Sequence, residues 1–157
     1  MISLSSSDLD QLAAAAAAAP RKRSNRNLHQ TLDAKVQRLA ISMEPDTYVR
    51  PHRHPQTWEL YIPLRGGFKV VLFDDAGSVT DCILIGQDGL VAYELPANTW
   101  HSVVSLHAGS IIFEVKEGPY IQPTIADVAA WSPAEGTDGV AEFQGFLRNA
   151  ETGQKYA

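Results

Sequence analysis

The residues best suited to chemistry lie between Pro51 and Gly67, in the stretch PHRHPQTWELYIPLRGG. His52 and His54 stand two apart, and on an extended strand such residues project to one side. Glu59 lies an odd number of positions after His54, so an unbroken strand would turn it away. Pro55 interrupts that strand, and Leu60-Tyr61-Ile62 reads as a returning strand that carries Glu59 back to the histidines. Two imidazoles and a carboxylate on one surface suit a divalent transition metal. A fourth ligand must come from far along the chain, and His101 is the candidate.

The same faces nominate neighbours. Tyr48 and Arg50 share the alternation of His52 and His54, which places them at the mouth of the site to hold a ligand carboxylate or phosphate. The alternative for this pair is a surface ion pair and a lining tyrosine. Tyr61 shares the face of Glu59, either donating a hydrogen bond to a metal-bound oxygen or simply lining the site. Lys116 points inward opposite His101 if a two-residue turn at Ala108-Gly109 joins their strands; one extra residue turns it outward. His29 reads as an arm residue and His107 as an exposed hairpin tip. No side chain stands out as an acid or base beside the ligands, so catalytic residues are unassigned.

The elements that must position these groups are mostly strands. Ser5-Ser6-Ser7-Asp8 reads as a helix cap, Leu9 through Ala19 as a short alanine-rich helix, and Pro20 as its stop. Arg21 to Gln30 has no period and reads as an arm. Leu32 to Leu39 fits either a helical stripe or, from Val36, the start of a strand. Beyond Ala40 short strands alternate with turn signals: around 48–54, then Leu60–Leu64, Phe68–Phe73, Val79–Ile85, Leu90–Leu95, His101–Leu106 and Ser110–Lys116. The turns between them include Arg65-Gly66-Gly67, Asp74-Asp75-Ala76-Gly77, Gln87-Asp88-Gly89 and a hairpin across His107-Ala108-Gly109. Near the end, Val140, Phe143 and Leu147 fall on one helical stripe. This spacing predicts an all-β barrel or sandwich at 39–136, preceded by a helix and basic arm at 1–38 and followed by a tail at 137–157.

A chain of 157 residues, 45% hydrophobic and 20% charged, closes one hydrophobic core as a single domain. Cys82 is the sole cysteine, which excludes an intrachain disulfide framework and fits a reducing cytosol. No apolar run spans a bilayer, and the first residues lack the pattern of a secretory signal, so the expected location is the cytoplasm. The net charge of −5 divides unevenly. Residues 21–38 carry Arg21, Lys22, Arg23, Arg26, Lys35 and Arg38 against Asp33, leaving the rest strongly acidic. Such an arm can bind an anion, lie against an acidic neighbouring subunit, or stand in solvent. The acidic body and the absence of any recognition motif argue against nucleic acid.

Two motifs, His52-x-His54-x4-Glu59-x6-Gly66 and Pro96-x4-His101, together resemble the paired motifs of the cupin superfamily. The second departs from the usual pattern, with Asn98 and Ser105 where glycine and asparagine are usual; asparagine also tolerates a left-handed turn. The stretches RKRSNRNLH, TYVRPHRHPQTWE, FEVKEGPY and WSPAEG are further similar to the WbuC family of cupin-fold metalloproteins, over roughly residues 20–136. The resemblance implies a small β-barrel of the double-stranded β-helix (jelly-roll) type. It also implies one divalent ion, iron, manganese, nickel or zinc, held by His52, His54, Glu59 and His101. Its setting would be surface-polysaccharide (O-antigen) biosynthesis, with the reaction not established. Three imidazoles and a carboxylate leave positions open on such an ion, as a catalytic site needs, whereas closed structural zinc sites favour cysteines. The expected function is action on a small anionic or sugar-derived molecule, as an isomerase, hydrolase or dioxygenase. The alternative is a non-catalytic, metal-assisted sugar-binding or accessory module. A homodimer is expected, because the basic arm needs an acidic surface and cupin barrels commonly pair through their sheets.

Overall fold

The computed structural model describes residues 2–87 and 89–156, and within them two antiparallel sheets enclose the main core. The chain begins with helix α1 (Ser6–Ala18), followed by strands β1 (Arg23–Asn27), β2 (Val36–Met43), β3 (Glu59–Arg65), β4 (Gly67–Phe73) and β5 (Val79–Gly86). Strands β6 (Tyr93–Leu95), β7 (Trp100–Ser105) and β8 (Ser110–Glu117) come next, and helix α2 (Val140–Asn149) closes the chain. One sheet runs β1-β2-β8-β3-β6 and the other β5-β4-β7. The expected turn at Gln87-Asp88-Gly89 contains Asp88, which lies outside the described residues.

Strand β4 explains the layering. Phe68 and Val70 point into the core between the sheets, with Met43, Tyr61, Ile85, Leu95, Val103 and Ile112. Val71 and Phe73 point to the other face, where α2 covers them with Phe143 and Leu147. A strand buried on both faces must be apolar nearly throughout, which is why FKVVLF shows no alternation. On the far side of the five-stranded sheet, Leu12 of α1 packs on Ala40 and Ile111. The helix starts on a reciprocal cap: Ser5 Oγ accepts from the Asp8 amide, and the Asp8 carboxylate accepts from the Ser5 amide.

Strand pairing corrects two readings of the chain and settles a third that was open. Residues 23–27, read as part of an irregular arm, form β1 and pair with β2 from Arg23↔Met43 to Asn27↔Leu39. The ambiguous stretch after Leu32 resolves into strand β2 from Val36. The supposed hairpin across His107-Ala108-Gly109 is a crossing between sheets. Strand β7 pairs with β4, whereas β8 pairs with β2 and β3, so Lys116 stands opposite Glu59 rather than His101. The Gly66 turn likewise carries the chain from one sheet to the other. Its φ is +66°, the left-handed region that favours glycine, and a Cβ there would also crowd Ser110.

Candidate metal centre

His52 and His101 are brought together by the backbone. His52 N–H donates to His101 O (3.0 Å) and His101 N–H to His52 O (2.9 Å), an exchanged antiparallel pair whose side chains project to one face. Their rings stand 4.4 Å apart, centroid to centroid, and His54 sits 5.1 Å from His52. One ring nitrogen from each of the three lies within 4.8 Å of the others. The turn beyond His54 is held by Asn98, whose amide donates to His54 O and whose φ of 61° is the left-handed value. Pro55 ends the extended run, and β3 returns with Glu59 as its first residue. The Glu59 carboxylate then reaches His54 Nε2 through Oε1 and His101 Nε2 through Oε2, each at 3.1 Å.

The hydrogen bonds around this quartet set its tautomers. His52 Nδ1 donates to Arg50 O and His101 Nδ1 to Thr99 O, both at 2.9 Å. A neutral imidazole has one N–H, so each ring keeps a lone pair at Nε2. At His101 that lone pair faces a carboxylate oxygen 3.1 Å away, and both side chains are buried. Two acceptors at that distance call for a positive charge, a proton or a metal cation. Carbonyl-anchored imidazoles with inward Nε2 atoms are also how proteins orient histidine ligands. The donor set therefore fits a divalent ion.

Electrostatics point the same way. Burial, aided by the neighbouring His101, pushes the pKa of His52 down to about 3, so its ring stays neutral and able to ligate. Burial alone would raise Glu59, but its contacts with the His101 and His54 rings and the charge of Lys116 hold it well below the ordinary range. Tyr61 Oη donates to Glu59 Oε2 at 2.7 Å, and burial keeps the phenol well above its usual pKa. Lys116 Nζ donates to Glu59 Oε1 at 3.0 Å and lies 2.8 Å from Glu114 Oε1. Burial opposes its charge, yet those two carboxylates raise its pKa and keep it cationic.

Glu114 is the group that sequence reasoning undervalued. It is buried beside the quartet, its pKa is raised by burial and by Glu59, and Oε1, despite its closeness to Lys116, has no well-aligned donor among the described residues. The signal was the alternation Ile112, Glu114, Lys116, all three of which line one cavity of about 590 Å³ with His52, His54 and Glu59.

Tyr48 and Arg50 are not brought to this cavity. Tyr48 Oη donates to Pro133 O, and its ring packs edge-on against Phe143. Arg50 donates to Ser132 Oγ, Ser132 O and Ala129 O, pinning the 129–132 segment. The alternation that grouped them with the histidines fails because residues 47–51 join no ladder, and it is Val49 that faces the cavity. Trp100 also stands outside the cavity lining: its Nε1–H donates to Asp75, and Arg53 stacks on its ring.

Residues 4–85, more than half of the 157, match the model of the family described as Domain of unknown function (DUF6016). The chain belongs to that family. The matched region holds His52, His54 and Glu59, while His101 lies beyond it. No protein of curated function matches.

Among solved structures the chain is similar to a cupin superfamily protein from Desulfitobacterium hafniense. The two share 17% identity over 68% of this chain and 86% of that one, with a TM-score of 0.51. KdgF from Halomonas sp. gives 19% identity, 66% and 85% coverage and a TM-score of 0.50. An oxalate decarboxylase gives 16% and 0.51 over 84% of this chain, which spans only 36% of that larger protein. At such identities the likeness speaks to fold alone, and the fold is that of the cupins. No helix among the described residues is long and apolar enough to cross a membrane.

Proposed function

We propose that this protein is a metal-binding cupin that acts on a small anionic or sugar-derived molecule, with one divalent ion held by His52, His54, Glu59 and His101. The observation that carries the reading is the lone pair of His101 Nε2 facing the Glu59 carboxylate at 3.1 Å, with both side chains buried beside a cavity that His52, His54 and Glu59 line. Iron, manganese, nickel and zinc all accept three imidazoles and a carboxylate. When bound, such an ion supplies a Lewis-acid centre with positions left open for ligand oxygens.

The protein's own groups divide the remaining work. Tyr61 and Lys116 fix the Glu59 carboxylate, one on each oxygen. Glu114, raised in pKa and lining the same cavity, is the group to hold and release a proton at a ligand hydroxyl or carbonyl. Its presence favours catalysis over the alternative of a non-catalytic binding or accessory module. The stretches that resemble the WbuC family favour a role linked to surface-polysaccharide biosynthesis. A homodimer belongs to the same reading, tested by sedimentation at micromolar concentration.

The functional test is a screen of nucleotide sugars and sugar acids against protein loaded with each metal and against stripped protein. The proposal expects product only with loaded protein. Turnover by fully stripped protein overturns the metal-dependent reading, and saturable binding without product favours the accessory module.

A further inference from the structure

The cavity lined by His52, His54 and Glu59 has a second chemically distinct wall, built by β1 and the loop that follows it. His29 lines this wall and is 93% buried. The backbone N–H of Arg38 donates to His29 Nδ1 at 3.0 Å. Nδ1 also lies 3.1 Å from Arg38 O, but that carbonyl already accepts from the Leu28 amide at 2.7 Å, whereas the Arg38 N–H can only donate; Nδ1 therefore carries the lone pair and Nε2 the proton. That Nε2–H is buried and finds no acceptor among the described residues. A buried donor left unpaired is destabilising, and folded proteins leave few of them.

The residues beside it are cationic or amide. Arg23 and Asn25 alternate along β1 and line the same cavity. Arg21 is paired in bidentate fashion with Glu135, at 2.5 and 2.6 Å, so its charge is matched. Arg23 donates one bond to Tyr48 O and lies 3.8 Å from Glu135, which leaves guanidinium N–H groups free. Asn25 donates to Asn27 Oδ1 and keeps a second amide hydrogen. The quartet side, by contrast, carries Glu59 and Glu114 against Lys116 alone. The cavity is therefore electrically two-ended.

We infer that the β1 wall is a second ligand subsite, in which His29 Nε2–H, Asn25 and Arg23 take an acidic oxygen of the molecule whose other end meets the quartet. The ligand class is a small polyhydroxylated acid or its phosphate ester. A neutral sugar offers His29 a hydroxyl oxygen but brings no charge to match Arg23. The inference rests on the proposal that this cavity binds the ligand, but not on the presence of the metal.

The test uses the full chain labelled with nitrogen-15, in zinc-loaded and stripped forms, and follows the histidine ring nitrogens by NMR. Inorganic phosphate and D-glucuronate are titrated separately, so the two arms tell phosphate from carboxylate recognition. The expected result is a saturable shift of His29 Nε2 with at least one probe, in both metal states. His29→Asn offers Oδ1 to the Arg38 amide but removes the donor, and binding should weaken about tenfold or more, the loss of a hydrogen bond to a charged group. His29→Gln presents an amide donor at that place and should retain binding. The metal content of both variants should match the parent. The subsite is overturned if His29 moves with neither probe, or if His29→Asn binds as tightly as the parent. Should His29→Asn fail to fold, the parent titration and His29→Gln decide. A parent that binds phosphate at His29 yet takes up no metal would sink the metal centre and leave this subsite standing.

Discussion

Replacing Tyr61 with phenylalanine removes a single hydroxyl, and the geometry sets the size of the effect. That hydroxyl donates to Glu59 Oε2 at 2.7 Å and lies 3.2 Å from His101 Nε2. Tyr61 is 3% exposed and Glu59 2%, so the lost donor is one to a buried carboxylate. A hydrogen bond to a buried charge contributes about 1.5–3 kcal/mol. At roughly 1.4 kcal/mol per factor of ten, the ion should bind about 10–100-fold more weakly, the range usual for partners that orient metal ligands. The assay is a competition titration of zinc between the protein and a coloured chelator at neutral pH, with circular dichroism to verify the fold. A folded Tyr61→Phe protein with unchanged zinc affinity would refute the reasoning, because Glu59 would then not be a ligand positioned by Tyr61.

Two other outcomes follow from the same contacts. Arg50→Met should lower stability in urea by about 1–3 kcal/mol, since its guanidinium ties down Ala129 and Ser132, yet leave the metal content unchanged. Loss of metal with intact stability would return Arg50 to the site. At the cap of α1, the side chain and backbone of Ser5 lower Asp8 from 3.8 to about 2. A depressed carboxyl stabilises the fold above its unfolded pKa and loses that contribution as pH falls through the folded value. The gap in thermal midpoint between parent and Asp8→Asn should thus be full at pH 5 and close toward pH 2; a gap that widens on acidification contradicts the cap.

The nearness of His52, His54 and Glu59 was legible in the sequence because their spacing is local. His-x-His on an extended segment, a proline break and a returning strand place three of the four groups within eight residues. His101 was legible only through the second motif, since its backbone pairing with His52 spans 49 positions. What could not be read depended on partners. Strand β1 has the sequence RSNRN, with no alternation to betray it, and becomes a strand by pairing with β2. Tyr48 and Arg50 looked like site residues because alternation was extended through 47–51, where no ladder enforces a pleat. Glu114 and Lys116 gained meaning once β8 lay between β2 and β3, which sets Lys116 opposite Glu59. His29 looked like an arm residue because its burial comes from the closing of β1 onto β2.

The central claim is that residues 52, 54, 59 and 101 meet on one ion. Its most direct test is the metal stoichiometry, by plasma mass spectrometry, of tag-free protein exposed to iron, manganese, nickel or zinc and then desalted. The account predicts one equivalent per chain for at least one of these metals, and almost none when His52 and His101 are both changed to alanine. A parent that retains no metal, or a double variant that retains as much as the parent, would contradict it.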